Sequence, residues 1–159
     1  MKSTFLILGN QLFPLKHLSE YSDSTFVMIE HAELASHFKY HKHKIILFFS
    51  AMRTYAEELK AEDFKLIYQK FESKKASSKF TKDLHRMMGT SSKLVCFEIE
   101  DKFFESEIVE FCRDNNIDLE FVSSPMFLCS RDDFKKYNDR VKKPFMKNFY
   151  ESQRKNMKV

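Results

Sequence analysis

The chain has 159 residues, 43% of them hydrophobic, and a net charge of +4, which fits one globular domain and excludes a disordered chain. Two glycines are too few for a P-loop or a glycine-rich dinucleotide loop, and no apolar run approaches the roughly 18 residues that span a bilayer. Cys96, Cys112 and Cys129 are widely spaced and form no CxxC pair, so neither a disulfide framework nor a zinc site is expected, and a reducing cytoplasm is the simplest setting.

Residues 4–8 form a continuous apolar run ending at Gly9, as expected of a strand buried on both faces. The run is too short for a signal peptide. Asn10, Gln11, Leu12 and Phe13 form the loop after it, and residues 25–29 form a second strand ending at Glu30. Residues 41–61 carry Ile45, Phe48, Phe49, Met52, Tyr55, Ala56 and Leu59 at helical spacing, an apolar stripe read as core. A third strand is expected over 65–71, a polar loop over 73–78 and a short helix over 79–88, stopped by Gly89. A fourth strand over 93–99, a helix over 103–115 and a fifth strand over 117–122 follow. Cys96 and Cys112 fall inside apolar stretches and read as small core residues.

Alternating strands and helices imply right-handed crossovers. The fold class is therefore α/β, a doubly wound five-stranded parallel sheet in the order 3-2-1-4-5 with the first strand central. After it, Ser130 and Asp133 have the spacing of a helix cap, and Pro144 separates that helix from a last, basic one over 145–156. Residues 135–159 hold nine basic and two acidic side chains, a charge of +7, leaving −3 for the rest of the chain. The expected division is 1–125 for the α/β domain and 126–159 for a helical extension.

Such sheets bind ligands beyond the carboxyl ends of their strands, where the strand order reverses. The loop Gly9, Asn10, Gln11, Leu12 would border that crevice, with Glu30 facing it and His41, Lys44 and Phe48 adding an imidazole, an ammonium and an aromatic wall. This set suits a flat polar heterocycle with a hydroxylated chain, held by Gln11, Glu30 and Lys44. The alternative is a plain turn at Gly9 and Asn10 with Glu30 in solvent. No metal is expected at His37, His41 and His43, because Lys39, Lys42 and Lys44 interleave with them and would repel a cation.

Four segments carry a family resemblance. They are Leu6 to Leu12; Glu30 onward through His41 to Ile45 and Phe49 to Arg53, ending at Ala56-Glu57-Glu58-Leu59; Phe127 to Ser130; and Met146 to Tyr150, closing near Arg154. In order and spacing they resemble the N-terminal region of the deoxyribodipyrimidine photolyase-related family, the bacterial iron–sulfur photolyases and cryptochromes. The resemblance implies a Rossmann-like domain of the photolyase antenna type, binding a ribityl-lumazine chromophore in the service of DNA photorepair or blue-light signalling.

It also implies that FAD and an iron–sulfur cluster belong to a downstream flavin-binding domain or subunit as partner. This chain would then resemble part of a photolyase and be without catalysis alone, with DNA met only indirectly or weakly through the basic tail, and no membrane. Asn10, where the family has Asp, and Leu34, where it has Glu, imply a more apolar pocket. The competing reading is a nucleic-acid-binding α/β module whose basic tail, with Phe145, Phe149 and Tyr150, contacts phosphates and bases.

Overall fold

A computed structural model describes residues 3–71 and 79–158; the loop expected at 73–78 lies outside them. The chain divides into two compact units, Met1–Val122 and Ser123–Val159.

In the first unit the strands β1 (Ser3–Leu6), β2 (Thr25–Ile29), β3 (Leu66–Gln69), β4 (Lys93–Phe97) and β5 (Asp118–Val122) form one sheet. The order is β3-β2-β1-β4-β5 and every pairing is parallel. Phe5 of β1 stands opposite Phe26 of β2 and Val95 of β4, which fixes the register of the three central strands.

Side chains alternate across a strand, so the central strands β1, β2 and β4 each feed two cores. Phe5, Ile7, Phe26, Met28, Val95 and Phe97 pack on one face beneath Met52, Ala56 and Leu59. Leu6, Leu8, Val27, Ile29, Leu94 and Cys96 pack on the other against Phe80, Leu84, Ile108 and Cys112. Burial on both faces explains why β1, β2 and β4 read as apolar runs. Burial also pushes the Cys96 thiol of β4 up to about 12 and the Cys112 thiol, between residues 102 and 114, up to about 11, which makes them poor nucleophiles.

Among the described residues four α-helices accompany this sheet: α1 (Ala32–Ser36), α2 (Lys42–Ala61), α3 (Phe80–Met88) and α4 (Lys102–Asp114). Helix α1 was not expected; five residues are too few for a hydrophobic period to show. Of the stripe of α2, Met52, Tyr55, Ala56 and Leu59 are buried and Ile45, Phe48 and Phe49 partly so, while Ile46 and Leu47, which lie off the stripe, are exposed.

Few glycines does not mean few left-handed residues. Asp63 and Asn116 have φ of 59° and 54° and end α2 and α4. At each end two amides turn back onto the last carbonyls: Phe64 N–H to Leu59 O at 3.0 Å and Asp63 N–H to Lys60 O at 3.2 Å, then Ile117 N–H to Cys112 O at 2.8 Å and Asn116 N–H to Arg113 O at 3.3 Å. This is the Schellman arrangement, with Asp and Asn in the place glycine usually takes.

The second unit holds α5 (Arg131–Arg140) and α6 (Met146–Met157). Ser130 caps α5, its hydroxyl accepting from Asp133 N–H at 3.1 Å. Phe149 packs edge-on against Phe134 and Tyr137, and neither helix has a buried residue. No helix among the described residues is long and apolar enough to cross a membrane.

Candidate functional site

Strand β1 has β2 on one side and β4 on the other. Its following loop and that of β4 lead to opposite faces of the sheet and leave a crevice between them. A cavity of about 400 Å³ occupies this place. Gly9 and Asn10 after β1 and Glu100 and Asp101 after β4 border it; Leu8, Leu34, Phe48, Phe49, Ile99 and Phe104 supply apolar wall. His31, Glu33 and Glu107 add polar groups from β2's end, α1 and α4.

Gly9 is required by the approach of α2. A Cβ there would lie 2.5 Å from Phe48 Cε1, 2.6 Å from Phe48 Cζ and 2.7 Å from Met52 Sδ, all well inside van der Waals contact. The missing side chain thus lets the aromatic wall of α2 close against the β1 loop.

The two loops are tied together by one carboxylate. Glu100 Oε2 accepts from Asn10 Nδ2 at 3.1 Å and Oε1 from Gln11 Nε2 at 3.4 Å. Gln11 is fully buried, and its Nε2 also donates to Glu98 O at 2.8 Å. Its Oε1 is buried with no partner. Asp101 caps α4, one oxygen accepting from both Phe103 and Phe104 N–H at 2.9 Å. Burial, and then the neighbouring charge of Glu33, hold the Glu107 carboxyl above its ordinary value.

Glu30 behaves differently. Its side chain is completely buried. Arg53 Nε donates to Oε1 at 2.7 Å and Arg53 Nη2 to Oε2 at 2.8 Å. Phe71 N–H donates to Oε2 at 2.8 Å and Tyr68 hydroxyl to Oε1. Burial alone would raise its pKa, but these bonds together outweigh burial and hold the carboxyl below its ordinary value. Tyr68 is raised in turn, first by burial and then by the carboxylate it donates to. The reading of Glu30 as a solvated side chain is thereby corrected. The group ties β2, α2 and the end of β3 together and does not line the crevice.

Of the residues expected in the site, Gly9, Asn10 and Phe48 line the crevice. Gln11 is held behind its edge, and Leu12 packs partly buried on the α2-side core. His41 is exposed and caps α2, Nδ1 accepting from His43 N–H at 3.2 Å. Lys44 does not line the crevice itself but an adjoining small pocket of about 80 Å³ that shares Leu34, Ala35 and Phe48 with it, with its ammonium 4.0 Å from the Tyr40 ring centroid. Gln11, Glu30 and Lys44 therefore do not converge on one space.

Missed from sequence were His31, Glu33, Glu100, Asp101 and Glu107. His31 is buried between Glu33 N–H, from which Nδ1 accepts at 3.3 Å, and Asp83, whose Oδ2 is 3.5 Å from Nε2. Glu100 and Asp101 had a usable signal, since they directly follow the strand that neighbours β1. Leu34 lines the crevice, as do four carboxylates, Glu33, Glu100, Asp101 and Glu107. Among the described residues no three His, Cys, Asp or Glu converge as metal ligands.

Fold and crevice define a doubly wound α/β module with a ligand-sized cavity at its topological switch point. The chain belongs to the deoxyribodipyrimidine photo-lyase-related protein family, whose model matches residues 5–159. It is 31% identical over 160 residues to a (6-4) photolyase of Agrobacterium fabrum, covering 97% of this chain and 31% of that protein. The chain thus spans about a third of the length of this curated relative.

Proposed function

We propose that the α/β unit holds a flat ribityl heterocycle, a ribityl-lumazine, as an antenna for a photolyase-related protein. The observation that carries this is the cavity of about 400 Å³ between the β1 and β4 loops, with aromatic walls from Phe48, Phe49 and Phe104. Its size lies within the range of small-molecule sites, and a few polar groups among apolar walls are what such sites use to orient a ring. Asn10, His31, His37 and the carboxylates of Glu33, Glu100, Asp101 and Glu107 are among the polar groups at hand. The bound chromophore would absorb light and pass the excitation to a flavin; the chain's own residues hold, orient and desolvate it.

The flavin would belong to a partner domain or subunit, which also meets the DNA in light-driven repair or signalling. The chain by itself would then be non-catalytic. Equilibrium dialysis of the purified protein against a ribityl-lumazine tests this reading. One saturable site per chain is expected, with a shifted absorption band. Absence of saturable binding overturns it.

A second reading rests on α6 and the residues before it. Phe145 and Tyr150 are exposed at 60% and 61% among Lys142, Lys143, Lys147 and Arg154, as stacking platforms on a basic strip would be. A single-stranded oligonucleotide should then bind with a steep loss of affinity in salt. Binding unchanged by Phe145→Ala with Tyr150→Ala excludes this reading.

A further inference from the structure

Helices α3 and α4 lie on one face of the sheet, where Phe80, Leu84, Ile108 and Cys112 share a core. Their outer sides leave an open groove of about 460 Å³ that has no lining residue in common with the crevice. Lys79, Lys82, His85 and Arg86 line it from α3 and the residue before it, and Phe111 and Asn115 from α4 and the residue after it. The helical period gathers the charge. Phe80, Leu84, Met87 and Met88 are buried, so positions 79, 82 and 86, at helical spacing, share the outer side.

A solvated basic face is the ordinary outcome of such a pattern, but the surroundings of this one are not ordinary. The unit that carries it is acidic: residues 1–122 hold 17 lysines and arginines against 19 aspartates and glutamates. Yet no carboxylate lines the groove. Asp83, the acid on α3, is buried and turned to Gln69, Arg86 and His31. Lys82 has no ion-pair partner among the described residues. Lys79 is partly engaged, since its charge also reaches Glu107. Arg86 is held in place, Nη2 donating to Asp83 Oδ1 at 3.1 Å and to Gln69 Oε1, which leaves Nε and Nη1 for a further acceptor.

The opposite wall does not repel an anion. The carbonyls that end α4 are already used: Phe111 O accepts from Asn115 Nδ2 at 2.8 Å, Cys112 O from Ile117 N–H at 2.8 Å and Arg113 O from Asn116 N–H at 3.3 Å. Asn115 keeps its Oδ1 as an acceptor. The wall is also aromatic, with the His85 ring edge-on to the half-buried Phe111 at 5.7 Å between centroids.

We propose that this groove is a nucleoside monophosphate site. The phosphate takes charge-assisted bonds from Lys82 and Arg86, with Lys79 at its edge. The base lies against Phe111 and His85, and Asn115 Oδ1 accepts from a base or sugar donor. Lysines alone would take any polyanion; the ring pair and the amide beside them select an anion that carries an aromatic base. The site is independent of the crevice and of the chromophore reading.

The test is an amide NMR titration of the full chain with adenosine monophosphate, adenosine and inorganic phosphate. Adenosine monophosphate is expected to saturate with shifts centred on residues 79–86 and 111–115 and a dissociation constant below about 1 mM, with the other two at least about tenfold weaker. The affinity should fall as salt rises. Lys82→Glu, at an exposed position, should weaken the nucleotide by about tenfold. Phe111→Leu, which keeps apolar volume but removes the ring, should weaken it at least about fivefold and leave inorganic phosphate unchanged. Circular dichroism checks that both variants are folded.

Shifts that map to the crevice or to α5 and α6, equal affinities for adenosine and its monophosphate, or binding unmoved by Lys82→Glu overturns the proposal. Tighter binding of a dinucleoside monophosphate, whose one phosphate is internal, with the same shifts would assign the groove to a nucleic-acid chain and overturn the nucleotide assignment.

Discussion

Two glutamates stand just beyond the two strands that flank β1 in the sheet and have opposite lives. Glu30, after β2, is buried, and four donated bonds from Arg53, Tyr68 and Phe71 meet its two oxygens. Glu100, after β4, is half-buried and receives one bond on each oxygen. The first is a staple between elements; the second borders a cavity with acceptor capacity to spare. The residue type and the place at a strand end are shared. What separates them is how many protein donors are aimed at each carboxylate.

Removing the staple should therefore cost most. Glu30→Ala leaves the Phe71 amide and Tyr68 hydroxyl without their acceptor, while half-exposed Arg53 can turn to water. A loss of about 2–4 kcal/mol is expected in urea unfolding, against less than about 1 kcal/mol for Glu100→Gln. Comparable losses from the two changes would erase the distinction.

Next in size is Gly9→Ala. The added methyl must displace Phe48 or Met52, at a cost of about 1–3 kcal/mol. The same displacement moves one wall of the crevice, so ligand affinity should fall with stability. Thermal melting that matches wild type would show that α2 can yield freely at this point.

The pH dependence sharpens the comparison further, because Glu30 and Glu107 shift in opposite directions. Glu30 has a lowered pKa, so its stabilisation is present above the ordinary value of 4.5 and is lost as pH falls below it. Glu107 has a raised pKa, so it favours folding at acid pH and becomes a cost as pH rises through and above 4.5. Glu107→Gln should thus stabilise the protein at pH 7 and lose that advantage on acidification. Glu30→Gln should destabilise at pH 7 and flatten the acid limb. Melting curves from pH 3 to 8, a range chosen to bracket about one pKa spread on either side of the carboxylate values, would expose the reverse pattern if either assignment is wrong.

The smallest effect is expected far from the crevice. Asp63 ends α2 at φ 59°, a conformation that costs an L-residue about 1–2 kcal/mol, part of which glycine's greater unfolded freedom offsets. Asp63→Gly should stabilise by up to about 1 kcal/mol with no change in ligand binding. A destabilisation would mean that the aspartate side chain contributes more than its backbone costs.

The sheet was legible because strands buried on both faces must be apolar throughout, and β1, β2 and β4 are. Strand order followed from the alternation with helices. The crevice was legible as a place, through Gly9 and Asn10, and Phe48 fell on its wall. Its chemistry was less so. Glu30 looked like a ligand contact because sequence shows a carboxylate at a strand end but not the Arg53 that reaches it from 23 positions later. His31, Glu33 and Glu107 were hidden for a related reason. They come together only through α1, which is too short to show a period, and through the approach of α4. Lys44 and His41 were expected at the crevice because the helix start was placed there as a whole, whereas the first turns of α2 stand partly clear of the core.

The central claim is that the crevice between β1 and β4 is where the chromophore binds. Ala35, on α1, lines that cavity, and Ala35→Trp places a large side chain there. Calorimetric titration of a ribityl-lumazine into wild type and Ala35→Trp tests the claim directly, with circular dichroism confirming that both are folded. One site per chain in wild type and loss of binding in the folded variant is the predicted result. Equal binding by both proteins, or none by wild type, would contradict it.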